Sequence, residues 1–383
     1  MSWPLVKLGN IVENCNSKRI PLKQADRAQR NGSYRYYGAS GVIDYVDDYL
    51  FDGDYLLIGE DGNNLISRST DIAFHANGKF WVNNHAHVLT SNGNADLGFL
   101  VHYINSINLE PFITGSAQPK LNKKNLDAIE IPLPPLDEQK RIAAILDKAD
   151  VIRRKRQQAI KLADDFLRSV FLDMFGDLET KGWEITTVEK VAESTKGSMR
   201  TGPFGSQLLH SEFVEKGIAV LGIDNAVENK FKWGKQRFIT EEKYQQLKRY
   251  TVKPDDVIIT IMGTCGRCAV VPEGIPTSIN TKHICCITLD KDKCLSSFLH
   301  SYFLYHPDCQ KYLATNTKGA IMAGLNMGIV KGIPVPLVPL SLQVKYDFIV
   351  KQLNELSEGL SEHKENGNSL FNSLSQKVFA GEL

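Results

Sequence analysis

The sequence predicts an α+β protein: two α/β-mixed domains in pseudo-repeat, separated by two long helices that form an antiparallel coiled coil. Three observations carry this expectation. The chain matches itself when Leu121 is laid on Leu325, a shift of 204 residues. Two stretches of roughly 40 residues keep apolar side chains at three-and-four spacing. The segments before them set short apolar runs between Gly-rich turns, as short strands require.

The repeat fixes the order of the elements. "LNKKNLDAIEIPLPPLDEQKRI", from Leu121, lies over "LNMGIVKGIPVPLVPLSLQVKY", from Leu325, without a gap. Asn122, Ile129, Pro132, Pro135 and Gln139 fall on Asn326, Ile333, Pro336, Pro339 and Gln343, and the same shift carries Ser169 to Ser373 and Phe175 to Phe379. Upstream the offsets change, as loops of differing length require. "WPLVKLGNIVE" at Trp3 matches "WEITTVEKVAE" at Trp183, "GDYLLI" at Gly53 matches "DDVIIT" at Asp255, and "NHAHVL" at Asn84 matches "NTKHIC" at Asn280. The predicted boundaries are a first domain over 1–136, a helix over 137–179, a second domain over 180–340 and a helix over 341–383.

Within the domains, "YLLIGED" and "DVIITIMG" read as buried strands ending in turns, and "GFLVHYINS" and "SFLHSYFLYH" as short helices. In the first rod the seam is predicted through Ile142, Ile145, Ala149, Ile152, Arg156, Ala163 and Val170; in the second through Ile349, Leu353, Leu356, Leu360, Leu370 and Leu374. Asp137 and Ser341 are the expected N-caps. A rod of this length cannot bury its stripe against itself, and the other rod is the economical partner. Arg156, inside "RRKR", reads as part of a solvated basic face pairing with Glu358 or Glu362, or as a polar layer that fixes register.

Composition bounds the function. A chain of 383 residues with 42% hydrophobic and 23% charged content can build two cores and does not resemble a disordered one. "MSWPLVKLGN" lacks the basic and apolar regions of a secretory leader, and "IPVPLVPLSL" is too short and Pro-broken to span a bilayer, which predicts a cytoplasmic protein with no membrane partner. Seven cysteines without framework spacing read as reduced thiols. The net charge of +1 decides nothing about polyanions, but Lys18, Arg19, Lys23, Arg27, Arg30 and Arg35 form one basic stripe, and Lys230, Lys232, Lys235 and Arg237 another.

Two variable domains alternating with two proline-led helices, the first entered by "PLPPLDEQKRIAAILDKAD", resemble the specificity subunit of prokaryotic type I restriction-modification systems. The resemblance covers the whole chain. "YRYYGASGVIDYVDDYLFDGDYLLIGEDG" with "KFWVNNHAHVL", and "RTGPFGSQL" with "IMGTCGRC", are similar to stretches of such domains. It implies two target recognition domains that each read half of a bipartite double-stranded DNA site. It also implies helices that space the half-sites and dock two methyltransferase subunits, with restriction/translocase subunits in the full complex. No cofactor is then expected on this chain; methyl donor, ATP and Mg belong to the partners. The second rod enters on "PLVPLSLQVKY" and departs from the pattern there.

Base edges in the major groove call for bidentate donors and acceptors, with aromatics and Thr against the thymine methyl. In the first domain the candidates are Arg35, Tyr36, Tyr37 and Ser40; Asn83, Asn84, His85 and His87; and Gln118, Lys120, Asn122, Lys123 and Lys124. In the second they are Arg200, Thr201, Phe204, Ser206 and Gln207; Thr264 and Arg267; Asn280, Thr281, Lys282 and His283; and Lys318 and Asn326. Any one of them can instead be a surface polar or turn former, and Asn84 and Asn280 turn-stabilising amides.

Two constellations invite other chemistry. Glu60 and Asp61 with His85 and His87 could hold a divalent metal, making a metal-dependent nucleic-acid enzyme the alternative. Cys265 and Cys268 form a C-x-x-C without the second pair that a zinc site wants. A coiled-coil scaffold for protein interaction is a further alternative. The sequence contains no phosphate-cradling G-x-x-x-x-G-K-[ST] and no Asn/Asp-Pro-Pro-aromatic tetrapeptide of adenine methyltransferases. The expectation is therefore a non-catalytic, DNA-binding subunit.

Overall fold

The proline ramps close each domain onto its own first strand. In the computed structural model, which describes residues 3–115, 117–316 and 324–382 apart from the side chains of 358 and 360–372, β1 (Leu5–Lys7) pairs antiparallel with Glu130–Pro132. The second copy repeats the arrangement, with Ile185–Thr187 pairing antiparallel with Pro334–Pro336. Even the flanking bonds correspond. Leu8 N–H donates to Ile129 O at 2.8 Å and Val188 N–H to Ile333 O at 3.0 Å. A proline at the end of a two-stranded ribbon leaves no ladder donor missing, which is why the ramp can carry so many.

The chain divides into two compact units, 1–158 with 361–383, and 159–360. In the first, β2 (Val12–Asn14), β3 (Asn31–Gly38), β4 (Gly41–Val46), β5 (Phe51–Gly59), β6 (Ala73–Val82) and β7 (Ala86–Ser91) form one sheet in the order β2-β7-β5-β6-β3-β4. The ramp strand Glu130–Pro132 is β8. Alternation along β5 splits the core in two. Leu56 and Ile58 face Phe99, Leu100 and Ile104 of the helix Leu97–Ser106, together with Ile142 and Leu146 of the first rod. Leu57, on the other face, joins Tyr37, Phe51, Phe80 and Val88. Asp96 caps the helix, its Oδ1 accepting from Phe99 N–H at 2.9 Å.

In the second unit β9 is Ile185–Thr187, followed by β10 (Met199–Thr201), β11 (Ile218–Leu221), β12 (Phe238–Ile239), β13 (Thr251–Val252), β14 (Val257–Thr260), β15 (Cys268–Val270), β16 (Ser278–Asn280), β17 (Ile284–Ile287) and β18 (Pro334–Pro336). They make two four-stranded sheets, β10-β17-β14-β15 and β12-β11-β16-β13, beside the β18-β9 ribbon. Val257 and Ile259 of β14 face Phe171 and Phe175 of the first rod, while Ile258 faces the opposite cluster with Leu221 and Val271.

The rods run Leu136–Phe175 and Leu340–Ala380. Each starts one residue before its expected cap, so Asp137 and Ser341 lie in the first turn instead of at the N-cap. In the first unit the opening of one rod meets the close of the other. Ile142, Ala143 and Leu146 share a core with Val378 and the half-buried Leu374 and Phe379, whose ring stands 5.4 Å from Phe99. In the second unit the roles are reversed, and Tyr346 packs edge-on against Phe171 and Phe175 at 5.5 Å each. The two rods are therefore antiparallel within each unit.

The seam departs from the expected one. One inward stripe of the first rod runs through Ile142, Leu146, Ala149, Arg153, Arg156, Ile160, Ala163, Leu167, Phe171 and Phe175, all buried or half-buried, and Ile145 and Val170 are half-buried beside it. Ile152 is 51% exposed and Leu356 65%, because Arg153 and Ser357 take the inward places beside them. A 3.6-residue turn drifts about 20° per heptad against a strict seven-residue repeat, enough to move the stripe one position over a long rod. Ile349 and Leu353 are half-buried. The side chains of Leu360 and Leu370, and of the proposed Arg156 partners Glu358 and Glu362, lie outside the described residues. Among the described residues no helix is long and apolar enough to cross a membrane.

Candidate nucleic-acid interface

The turn after β5 meets two loops of the first unit through backbone bonds. Glu60 N–H donates to His85 O at 2.8 Å, Leu121 N–H to Glu60 O at 2.8 Å and Gly62 N–H to Pro119 O at 3.1 Å. In the second unit Ile261 N–H donates to His283 O at 2.9 Å and Leu325 N–H to Ile261 O at 3.0 Å. Both units thus gather the same three connections at one end of the sheet. This register corrects the sequence match: His85 corresponds to His283, two residues away from the alignment of Asn84 on Asn280. A slip of two keeps every side chain on its face of a strand, so apolar patterning alone could not detect it.

On this scaffold the first unit carries a charged cluster. Glu60 accepts from Arg19 Nη1 at 2.7 Å through Oε2 and lies 3.2 Å from Lys120 Nζ through Oε1. Burial by itself would raise the Glu60 carboxyl, but the Arg19 bond and charge and the Lys120 bond hold it below its usual range. Arg19 also donates to Ala86 O at 2.6 Å. Asp61 bonds His85 Nδ1 at 2.8 Å, leaving the exposed ring edge of His85 outward.

His87 is only 1% exposed. Its Nε2–H donates to Leu121 O at 2.7 Å, and its Nδ1 accepts from Asn16 Nδ2 at 2.8 Å while Asn16 Oδ1 takes Val88 N–H at 2.9 Å. This chain of partners requires the neutral ring, consistent with desolvation pushing its pKa down. With both nitrogens committed, His87 can neither ligate a metal nor touch DNA. Among the described residues no group of three or more His, Cys, Asp and Glu side chains is placed to hold a metal ion.

Burial removes other candidates. Tyr36 is fully buried and its hydroxyl accepts from Leu22 N–H at 2.9 Å; Tyr37 stacks on Phe74 at 5.7 Å. Asn83 is buried, its Oδ1 taking His85 N–H at 2.8 Å, so it shapes the loop that presents Asn84 and His85. Arg200 is buried and donates to Asp256 Oδ2 at 2.5 Å and to Thr251 O at 2.6 Å. Asn280 is fully buried and donates to Ile284 O at 3.0 Å. Asn122, half-buried, and Asn326, exposed, are not removed by burial but serve as helix N-caps, accepting at 2.9 Å from Asn125 N–H and Ile329 N–H. These residues match a DNA-reading composition because turns, caps and buried pairs use the same polar groups.

What remains outward in the first unit is Ser40, Asn84, His85, Gln118, Lys120, Lys123 and Lys124, with Arg35 held over Asn77 O and 5.8 Å above the Tyr37 ring. In the second unit Phe204, Ser206, Gln207, Thr264, Arg267 and Asn326 are exposed, while Thr201, Thr281, Lys282 and His283 are half-buried. Lys318 lies outside the described residues. The basic stripes are largely offset by carboxylates: Arg27 by Asp44 at 2.8 Å, Arg30 by Asp47 at 2.8 Å, Lys230 by Asp164 at 2.7 Å and Lys232 by Glu228 at 2.5 Å. Cys268 is buried with its thiol pushed well up by desolvation, while Cys265 sits half-buried on the turn.

Two features escaped the sequence reading. β4 sits at the sheet edge with Val42, Ile43 and Tyr45 exposed. Trp233, also exposed, stands in the long connection between β11 and β12. A Lys- and aromatic-rich string between two short strands was the available signal for the second; for the first, exposed apolar positions carry the same pattern as buried ones.

A repeated scaffold that presents different loops is the design of a modular sequence reader, and comparison with known proteins agrees. The type I restriction modification DNA specificity domain matches residues 2–162 and 181–367. The chain belongs to the type I restriction-modification DNA specificity family. It is 30% identical over 79% of its length, and 76% of the other's, to a Haemophilus influenzae protein provisionally named as a type I restriction enzyme specificity subunit. It is 26% identical to the Escherichia coli type I restriction enzyme EcoBI specificity subunit, over 73% of this chain and 64% of that one. The crystal structure of the type I restriction-modification S subunit from M. genitalium shares its fold at a TM-score of 0.69 and 17% identity, covering 99% of this chain and 96% of that one.

Proposed function

We propose that each unit reads one half of a bipartite double-stranded DNA site and that this chain performs no catalytic step itself. Methyltransferase subunits, two in number, bind through the rods, with restriction/translocase subunits in the full complex. These partners supply the methyl donor, ATP and Mg, and the assembly works in the cytoplasm of a prokaryotic cell.

The observation that carries this reading is the paired scaffold. One hydrogen-bond frame is built twice, and the groups it presents differ: Glu60 and Asp61 in one unit stand where Ile261 and Met262 stand in the other. Such duplication suits two independent readings of sequence and offers no shared centre for a reaction. Rod residues that stay exposed despite being large and apolar, Phe166 and Phe348 among them, suit the docking of other subunits.

The test exchanges residues 1–136 for the corresponding segment of a relative and sequences the methylated sites made by the complex. One half-site should change and the other persist. Changes in both halves, or methylation by the isolated chain supplied with methyl donor, would overturn the reading.

A further inference from the structure

The connection from β11 to β12 spans 222–237, whereas its counterpart from β3 to β4 is the tight turn in which Gly38 pairs with Gly41. The two hairpins are equivalent. β3 runs parallel to β6 as β11 does to β16, and Asn83 N–H donates to Tyr37 O at 3.0 Å as Thr281 N–H donates to Leu221 O at 2.9 Å. The second unit therefore has a long insertion where the first has almost nothing. Long connections within a compact domain are uncommon and usually functional.

The insertion is braced. Asn225, buried, takes Gly222 N–H on its Oδ1 at 2.8 Å and donates through Nδ2 to Lys232 O at 2.8 Å, clasping both limbs. Phe231 packs into the core below and meets Trp233 edge-on at 5.4 Å. Arg237 donates through Nη1 and Nη2 to Asp224 Oδ1 at 3.1 and 3.0 Å. The pair fits only because two neighbours lack side chains: a Cβ on Gly222 would lie 2.5 Å from Arg237 Nη1, and one on Gly234 would lie 2.1 Å from Asp224 Oδ2.

This end-on pairing leaves the Nε–H edge of the guanidinium with no hydrogen bond among the described residues. Beside it opens a cleft of about 240 Å³ lined by Leu221, Asn225, Trp233, Lys235, Arg237 and Pro276. Val220 N–H donates to Arg237 O at 2.9 Å, and the next residue, Leu221, accepts from Thr281 N–H at 2.9 Å, so Arg237 sits beside the shared loop end. A guanidinium fixed by a carboxylate presents a planar fork of donors, and the base edge that answers such a fork is the O6/N7 pair of guanine.

We propose that Arg237, seated by Asp224 beside the Trp233 cleft, reads a guanine in the half-site recognised by the second unit. This rests on the reading of the units as base readers. Arg237 is the specificity-determining group, and Asp224, Gly222 and Gly234 position it. The first unit, which lacks the insertion, reads its half-site by other means.

The assembled complex is titrated with duplexes carrying its recognised site, in which 7-deazaguanine replaces each guanine of the second half-site in turn. One replacement, which removes the N7 acceptor and keeps O6, should weaken binding about tenfold, the scale of one hydrogen bond to a charged donor. Arg237→Ala and Arg237→Met complexes should bind the unmodified site weakly and be indifferent to that replacement, because neither side chain offers a donor to N7. A half-site with no sensitive guanine, or a variant that keeps the sensitivity, overturns the role of Arg237 while leaving the units as readers. Equal binding of wild type to duplexes of any sequence sinks the reading of the units itself. The wild-type titration is decisive even should a variant fail to fold.

Discussion

Gln139 and Gln343 make the same three hydrogen bonds in the two units. Gln139 Oε1 accepts from Asp96 N–H at 2.8 Å, and its Nε2 donates to Asn94 O at 3.2 Å and Pro134 O at 2.9 Å. Gln343 Oε1 accepts from Leu295 N–H at 2.8 Å, and its Nε2 donates to Lys293 O at 3.0 Å and Val338 O at 2.8 Å. Both side chains are buried. Each ties the first turns of a rod to its proline ramp and to the entry of the domain's packing helix.

Replacing either glutamine by leucine strands one backbone N–H and two carbonyls away from water. Gln139→Leu and Gln343→Leu should each cost about 2 to 4 kcal/mol in urea unfolding. A loss under about 0.5 kcal/mol, the scale of an ordinary surface change, would show that the clasp is ornamental.

The Arg200–Asp256 pair makes a contrasting case. Asp256 is fully buried and also takes Thr288 Oγ1–H at 2.5 Å and Lys253 N–H at 2.7 Å. Arg200→Met leaves this carboxylate without its countercharge and should destabilise by about 3 to 5 kcal/mol. The methylated half-sites should not change. An altered half-site at undiminished stability would return Arg200 to the DNA surface.

Acid should unfold the protein early. His87, His300 and His306 all have pKa values lowered below 6.5, burial being the first cause in each case. Between the folded and unfolded values the unfolded chain binds more protons, so stability rises with pH there. The histidine contribution is complete above about pH 6.5 and is lost as pH falls towards the folded values. Urea midpoints at pH 7.5 and 5.5 should differ, and His87→Gln should reduce the difference. An unchanged slope would mean that His87 is not held neutral.

The caps Asn122 and Asn326 separate structure from recognition. Asn122→Ala and Asn326→Ala should each lose about 0.5 to 2 kcal/mol of stability and leave the half-site sequences as they were. Methylated-site sequencing alongside thermal melts decides the point.

Much of the architecture was readable in advance because it repeats. A shift of 204 exposed the ramps, the rods and the Gln139/Gln343 correspondence, and a 3.6-residue period needs no tertiary information. The seam slipped by one residue at Ile152 and Leu356 because only the packed helices decide which neighbour turns inward. The site was harder to read. Arg200, Asn83 and Asn280 have the side chains a base reader would use, and nothing in their local sequence shows that a carboxylate or a backbone group already holds them. Arg237 passed as one more charge in a stripe until Asp224, thirteen residues earlier, was seen to seat it.

The first unit recruits Val378 into its core, together with Leu374 and Phe379, while the second is a continuous run, 159–360. On the ribosome, the domain that emerges first therefore has to wait. Its sheet can form early, but Phe99 and Ile142 lack part of their cover until more than two hundred further residues have been made. The second unit, begun later, holds every residue of its core by residue 360 and can be completed sooner. An aborted chain that stops short of residue 374 would release a finished second reader attached to an unfinished first one, so quality control falls on the end that was synthesised first.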